Sequence, residues 1–225
     1  MVNETQASFS PPRDRIIVAF MALLAEKQIE RIDLAEIAKR AEVSLADLRG
    51  EFGTTLAILA AHMKDVDRAV LRGGDGDMAQ EPPRERLFDV LMRRIEALAP
   101  HREAVRSLMR SATYNPPLAI ALNGLAVQSQ QWMLAAADIP ASGPKGMVRA
   151  QGLALLFASV LRTWLNDTDP GLARTMAALD SALARGQRWS SLLDDVLSVP
   201  SRLCPTRTRR RRARRDDAGD ETVAA

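Results

Sequence analysis

Apolar residues recur three and four positions apart along nearly the whole chain, the period of a helix with one buried face, and seldom alternate in twos. The pattern predicts an all-helical protein. A first helix opens with Ser10 as N-cap and Pro11 at its first position, runs to about Lys27, and gathers Ile16, Ile17, Phe20, Leu23 and Leu24 on one face. Asp33, with Glu36 three residues later, makes a capping-box pattern for a second helix over about 34 to 41, and Ser44 with Asp47 repeats it in weaker form for a third. Gly53 ends the third, and Thr54 caps a fourth that runs to about Leu71. The glycines and prolines of "RGGDGDMAQEPP" (72–83) break any helix. Beyond them the period returns over roughly 83–99, 101–113, 116–137, 144–166 and 170–187, with a short stretch near 190–198. Pro100, "NPP" (115–117), "SGP" (142–144) and "DTDP" (167–170) stand at the breaks.

The second and third helices carry the most specific information. Ile37, Ala38 and Ala41 share one face, Val43 in the break plugs the space between the two helices, and Leu48 and Phe52 point inward from the third. Ser44, Leu45, Ala46, Arg49 and Gly50 are left facing outward, where the recognition helix of a helix-turn-helix presents its residues to the major groove. The segment 16–63 resembles the N-terminal DNA-binding region of the TetR family of transcriptional regulators, most closely at "LLAEK" (23–27), "LAEIAKRAEVS" (34–44) and Phe52 followed by "GTT" (53–55).

The resemblance implies a TetR-like fold with a helix-turn-helix domain at 11–53 and a helical effector-binding and dimerisation domain at 54–200, to which composition adds a disordered arginine-rich tail at 201–225. It also implies a regulator, a repressor in the commonest form, that binds a double-stranded DNA operator as a homodimer and responds to a small hydrophobic effector. Its DNA-facing residues would be Arg13, Arg15, Lys39, Ser44, Leu45, Ala46, Arg49, Thr54 and Thr55.

Three departures weaken the likeness. Glu42 occupies a turn position where the family has glycine, "LRGEF" (48–52) lacks the family's aromatic ending, and Thr55 stands in place of a phosphate-binding lysine. Charge points the same way, since residues 12–52 hold seven basic and eight acidic side chains. Phosphate neutralisation supplies most non-specific DNA affinity, so non-specific binding by this head should be weak. Two readings stay open: a working DNA reader whose bases face the duplex while Glu26, Glu30 and Asp33 face away, or a scaffold turned to another use.

In the C-terminal part, Leu153, Leu156, Phe157, Val160, Leu161 and Trp164 form one stripe, and Leu172, Met176, Leu179 and Leu183 another. The two helices would pair across the short "NDTDP" loop and, with a second copy, build a four-helix dimer interface through Leu153, Leu156, Val160, Leu161, Trp164, Met176, Leu179 and Leu183. Alternatively both stripes are spent inside one subunit. Met109, Tyr114, Leu122, Leu125, Trp132, Met133 and Phe157 are candidates either for an apolar effector cavity or for plain core. A second resemblance, carried by "RIEALAPHREAVRSL" (94–108) and "WLNDTDPGLARTMAALDSAL" (164–183), is to a TetR-fold family of lipid-binding accessory proteins of ubiquinone biosynthesis. It implies isoprenoid binding without specific DNA recognition.

Composition adds limits. The net charge of +3 conceals a near-neutral body, because residues 201–225 hold eight arginines against four acids. With so few apolar residues that tail should not order, and "RTRRRRARR" (207–215) is either a phosphate-binding segment or a solvated extension. The single cysteine, Cys204, excludes an internal disulfide, and the first residues lack the basic flank and apolar run of a signal peptide, so a cytoplasmic protein is expected. "GLALLFASVL" (152–161), closed by Arg149 and Arg162, is too short for a bilayer span of about 20 apolar residues, so no membrane insertion is expected. No cofactor, metal or enzymatic activity is expected either: His62 and His101 lie far apart in sequence, His101 is expected to cap a helix or face solvent, no glycine-rich phosphate loop occurs, and the adjacent Asp194 and Asp195 diverge on a helix.

Overall fold

The structure is a computed structural model that describes residues 11–74 and 80–197, with side chains as far as residue 186. Among the described residues the chain is all helical: α1 (Pro12–Glu26), α2 (Leu34–Arg40), α3 (Leu45–Glu51), α4 (Thr55–Arg72), α5 (Pro83–Leu98), α6 (Arg102–Tyr114), α7 (Pro116–Ala136), α8 (Gly143–Leu165) and α9 (Ala173–Leu197). Short 3-10 turns occupy Ile29–Arg31 and Ala99–His101. Ser10, the arginine-rich tail and Cys204 lie outside the described residues. Pro12 is the first residue of α1 and Pro11 its N-cap, with no side-chain cap.

The starts follow local chemistry. Pro83, Pro116 and Pro144 stand in the first turns of α5, α7 and α8, where a missing N–H costs nothing. Asn115 caps α7 by accepting from Leu118 N at 3.0 Å. One expectation fails: the stretches at 170–187 and 190–198 are a single helix, α9, which begins only at Ala173. Its start is set by Asp167, buried in the α8–α9 turn. The Asp167 carboxylate accepts from the backbone N–H and hydroxyl of Thr175 (2.8 and 2.7 Å) and from Asp169 N (3.2 Å). Those bonds favour the charged form and hold its carboxyl below the usual carboxylate range.

Two hydrophobic clusters divide the interior. The head cluster gathers Ile16, Phe20 and Leu24 of α1, Ile37 of α2, Leu48 of α3 and Ile58 and Leu59 of α4; Ala104 and Leu108 of α6 and Leu118 of α7 join it. The body cluster holds Val66 and Val70 of α4 with the apolar faces of α5, α7, α8 and α9. The seam therefore runs through α4 rather than in front of it, and α6 packs along α1. Polar contacts tie the same joint, with Ser107 Oγ donating to the Lys27 carbonyl (2.9 Å) and Asn115 Nδ2 to Glu30 (3.0 Å).

Candidate nucleic-acid interface

The turn between α2 and α3 is built by main-chain bonds. Asp33 caps α2 by accepting from Glu36 N at 2.7 Å, and α2 closes with Glu42 N donating to the Lys39 carbonyl (3.3 Å) and Val43 N to the Ala38 carbonyl (3.0 Å). This double closure requires a left-handed residue between them, normally glycine. Here Glu42 takes it, with φ at 54°. The Arg15 guanidinium donates to the Glu42 carbonyl (3.2 Å), bracing the turn from α1.

The start of α3 is a complete capping box. Ser44 Oγ accepts from Asp47 N (3.0 Å), and the Asp47 carboxylate accepts from Ser44 N (3.2 Å) and Ser44 Oγ (2.7 Å). Bonds from the Ser44 side chain and then its backbone keep the Asp47 carboxyl below its ordinary range. Asp47 is thus turned back on the helix terminus. Leu45, Ala46, Arg49 and Gly50 point outward, while Leu48 is buried and anchors the helix from behind.

The expected DNA-facing residues separate into two groups. Lys39 and Arg49 are exposed and carry no ion pair among the described residues, and Leu45 and Ala46 are exposed beside them. Ser44 and Thr54 have capping bonds, Thr54 Oγ1 accepting from Ala57 N at 3.1 Å, and Thr55 is half-buried at the first turn of α4. Arg13 pairs with Asp14 (3.1 Å) and Asp65 (3.0 Å), and Arg15 braces Glu42. Glu26 and Glu36 are neutralised by Arg40 and Lys27.

The candidate pocket residues do not converge. Tyr114 is 81% exposed and Trp132 59%, whereas Met133 and Phe157 are buried in the body and Met109 lies half-buried against it; Leu122 and Leu125 pack on the head cluster. The first two are corrected from cavity lining to surface, because each falls on the outer side of its helix. What occupies the middle of the body is charge: Arg94 of α5 pairs with Asp67 of α4, and Ser129 Oγ of α7 donates to the same carboxylate oxygen at 2.7 Å. The guanidinium stands 5.7 Å from the ring centroid of Phe157. Arg94 Nε and Gln130 Oε1 are buried without a partner, at about 1 to 3 kcal/mol for each orphaned group.

The proposed interface stripe is also redistributed. Leu153, Val160, Trp164, Leu179 and Leu183 are buried in this chain's own core, and Leu156 and Leu161 are half-buried; only Met176 is exposed. The free apolar residues lie on the other side of α8, at Met147, Val148 and Leu155.

The two histidines, expected to be unrelated, meet. The His62 and His101 rings pack edge to face with centroids 4.6 Å apart, so His101, at the N-cap position of α6 as expected, packs its ring on His62 and makes no side-chain capping bond. Burial, with the neighbouring His101 adding to it, lowers the His62 pKa to about 4. Among the described residues no group of three or more metal-binding side chains occurs, and no helix is long and apolar enough to cross a membrane.

A helix-turn-helix head sharing one long helix with an all-helical body is the architecture of TetR-type transcriptional regulators. Comparison with solved structures gives that fold: a TetR transcriptional regulator from Nitrosomonas europaea ATCC 19718 is 22% identical, with 80% of this chain and 99% of that one covered and a TM-score of 0.62. A second from Rhodococcus sp. RHA1 is also 22% identical, over 82% and 97% of the two chains (TM-score 0.54), and a third from Streptomyces coelicolor 17% identical over 83% and 85% (TM-score 0.51). No family model and no curated protein matches the chain. Three of the residues behind the lipid-carrier resemblance hold the fold together. Arg102 donates to the Trp164 and Asp167 carbonyls, Arg106 to that of Leu165, and Asp167 sets the start of α9.

Proposed function

We propose that this chain is a sequence-specific DNA-binding regulator of transcription, a cytoplasmic repressor that works as a homodimer, has no enzymatic step and is released by a small effector held in its helical body. The observation that carries the reading is the outward face of α3. Its one carboxylate in the first turn, Asp47, is consumed by the capping box, leaving Leu45, Ala46 and Arg49 with the nearby Lys39 to meet a groove. An α-helix of this length fits the major groove, and an arginine near its middle has the two-pronged donor geometry that suits guanine. With Asp47 bonded back on the helix terminus and Glu51 at the far end of α3, the formally acidic helix still presents Arg49 outward, and the near-neutral head makes binding depend on specific contacts more than on bulk phosphate attraction.

Homodimerisation would bring the exposed Val148 and Leu155 of α8 and Met176 of α9 against their copies. The two α3 helices would then address half-sites a whole number of DNA turns apart.

The test is titration of DNA from upstream of the chain's own gene, against random competitor, at two salt concentrations. Saturable binding that survives competitor is expected, weakened about 10-fold or more by Arg49→Ala, in line with about 1 to 3 kcal/mol per bidentate base contact. Binding that is indifferent to Arg49→Ala and disappears when residues 201–225 are removed would defeat the reading, leaving only attraction between phosphates and the tail.

A further inference from the structure

We propose that the body takes an anionic amphipathic ligand, with Arg94 as its receptor group and the Asp67–Arg94 ion pair as the latch that the ligand opens. The proposal deepens the effector-regulated reading above and rests on it.

Arg94 is 3% exposed and Asp67 7%, on helices packed side by side, with Ser129 completing the cluster from a third helix and Phe157 lying against the guanidinium from a fourth. Leu91, Val127 and Met133 belong to the same core. An ion pair so placed is poorly explained by stability, because replacing both partners with apolar side chains of similar size is usually neutral or favourable. Its chemistry is also incomplete. Nη1 serves Asp67, but Nε has no partner, and the Nε edge of a guanidinium is one on which a second carboxylate, sulfate or phosphate forms paired hydrogen bonds. Such a donor, buried in an apolar body without a protein partner, can take a ligand's oxygen.

Charge balance then selects the ligand and supplies the coupling. The resting pair is neutral. A neutral apolar guest leaves it closed, and a cation adds uncompensated positive charge beside Arg94. An anion on Arg94 leaves two carboxylates sharing one guanidinium, an excess negative charge that the apolar surroundings cannot solvate. The excess is relieved when Asp67 withdraws, and Asp67 is part of α4, which also carries Ile58 and Leu59 of the head core and follows directly on α3 through Thr54. The alkyl or ring portion of the ligand is matched by Phe157 and its aliphatic neighbours.

The experiment is calorimetric titration of the full chain with decanoate and, as neutral counterpart, decanol. Three proteins are compared: wild type, Asp67→Asn, and Asp67→Asn with Arg94→Met, the last leaving no lone buried charge and each checked for helicity. Decanoate should bind wild type at least 10-fold more tightly than decanol does, bind Asp67→Asn at least 10-fold more tightly again because the latch is already open, and fall to the decanol level in the double variant. Decanol should bind all three within about threefold. Equal decanoate affinity in the three proteins, or no decanoate binding to folded Asp67→Asn, overturns the receptor role of Arg94. If decanoate binds through Arg94 yet leaves the DNA affinity of the wild type unchanged, the latch is overturned. Absence of any sequence-specific DNA binding would instead count against the regulator reading and leave the Arg94 site standing.

Discussion

At the scale of single residues, Glu42 shows a conflict between side chain and backbone. The α2–α3 turn needs a left-handed residue, and a non-glycine residue there costs about 1 to 2 kcal/mol, partly offset by the greater freedom that glycine has when unfolded. Glu42→Gly should therefore raise stability by up to about 1 kcal/mol, seen as a higher denaturation midpoint with unchanged slope. His62 makes an opposite kind of statement, about protons. In the unfolded chain it titrates near 6.5, in the fold at about 4, so between those values the unfolded state binds more protons and stability falls as the pH drops through that window. Fully expressed, the difference is about 3 kcal/mol. His101, also lowered by burial, acts in the same sense. Unfolding measured from pH 7 to 4 should show this loss in the wild type and a shallower one in His62→Gln.

At the scale of elements, α3 is seven residues long and cannot persist on its own; its capping box and the buried Leu48 hold it. Ser44→Ala should cost about 1 kcal/mol and reduce DNA affinity through loss of helix order, without altering base preference. The C-terminus of α8 is held by a different device, the guanidinium groups of Arg102 and Arg106 on its last carbonyls, with Arg102 also 5.2 Å from the Trp164 ring centroid. Arg102→Met keeps the length of the side chain and removes the donors, leaving carbonyls unpaired. A loss of about 1 to 3 kcal/mol is expected, measured by chemical denaturation.

At the scale of the whole molecule, one face of α8 is buried in the body and the other is exposed, and substitution separates them. Val160 is 1% exposed and Leu155 61%. Leu155→Glu should leave the fold intact and, on the homodimer proposed above, give monomers in sedimentation experiments with loss of operator binding. Val160→Glu should abolish folding, because a charge placed in the body core has no partner. The fold of the head was legible in the sequence because its signals are local. Asp33, Ser44 and Thr54 cap residues three positions away, and Ile37, Leu48 and Phe52 repeat at helical spacing, so a short window contains both the cause and the effect. Leu153, Val160 and Trp164 on one side and Leu155 on the other were not distinguishable as buried or exposed from periodicity, since both sides of α8 are apolar and the period reports a face without naming what covers it.

The sequence by itself determined the helices of the head, the caps at Asp33, Ser44 and Thr54, the helix-turn-helix and the near-neutral charge of the head, all of them consequences of interactions within a few residues of chain. Only the tertiary structure decided that Asp67, Arg94 and Ser129 meet, that His62 stacks on His101, that Arg15 braces Glu42 and that Tyr114 and Trp132 stay outside. Each of those outcomes joins or separates residues by the packing of one helix on another, and the three-and-four period that writes the helices carries no record of which neighbour each face will find.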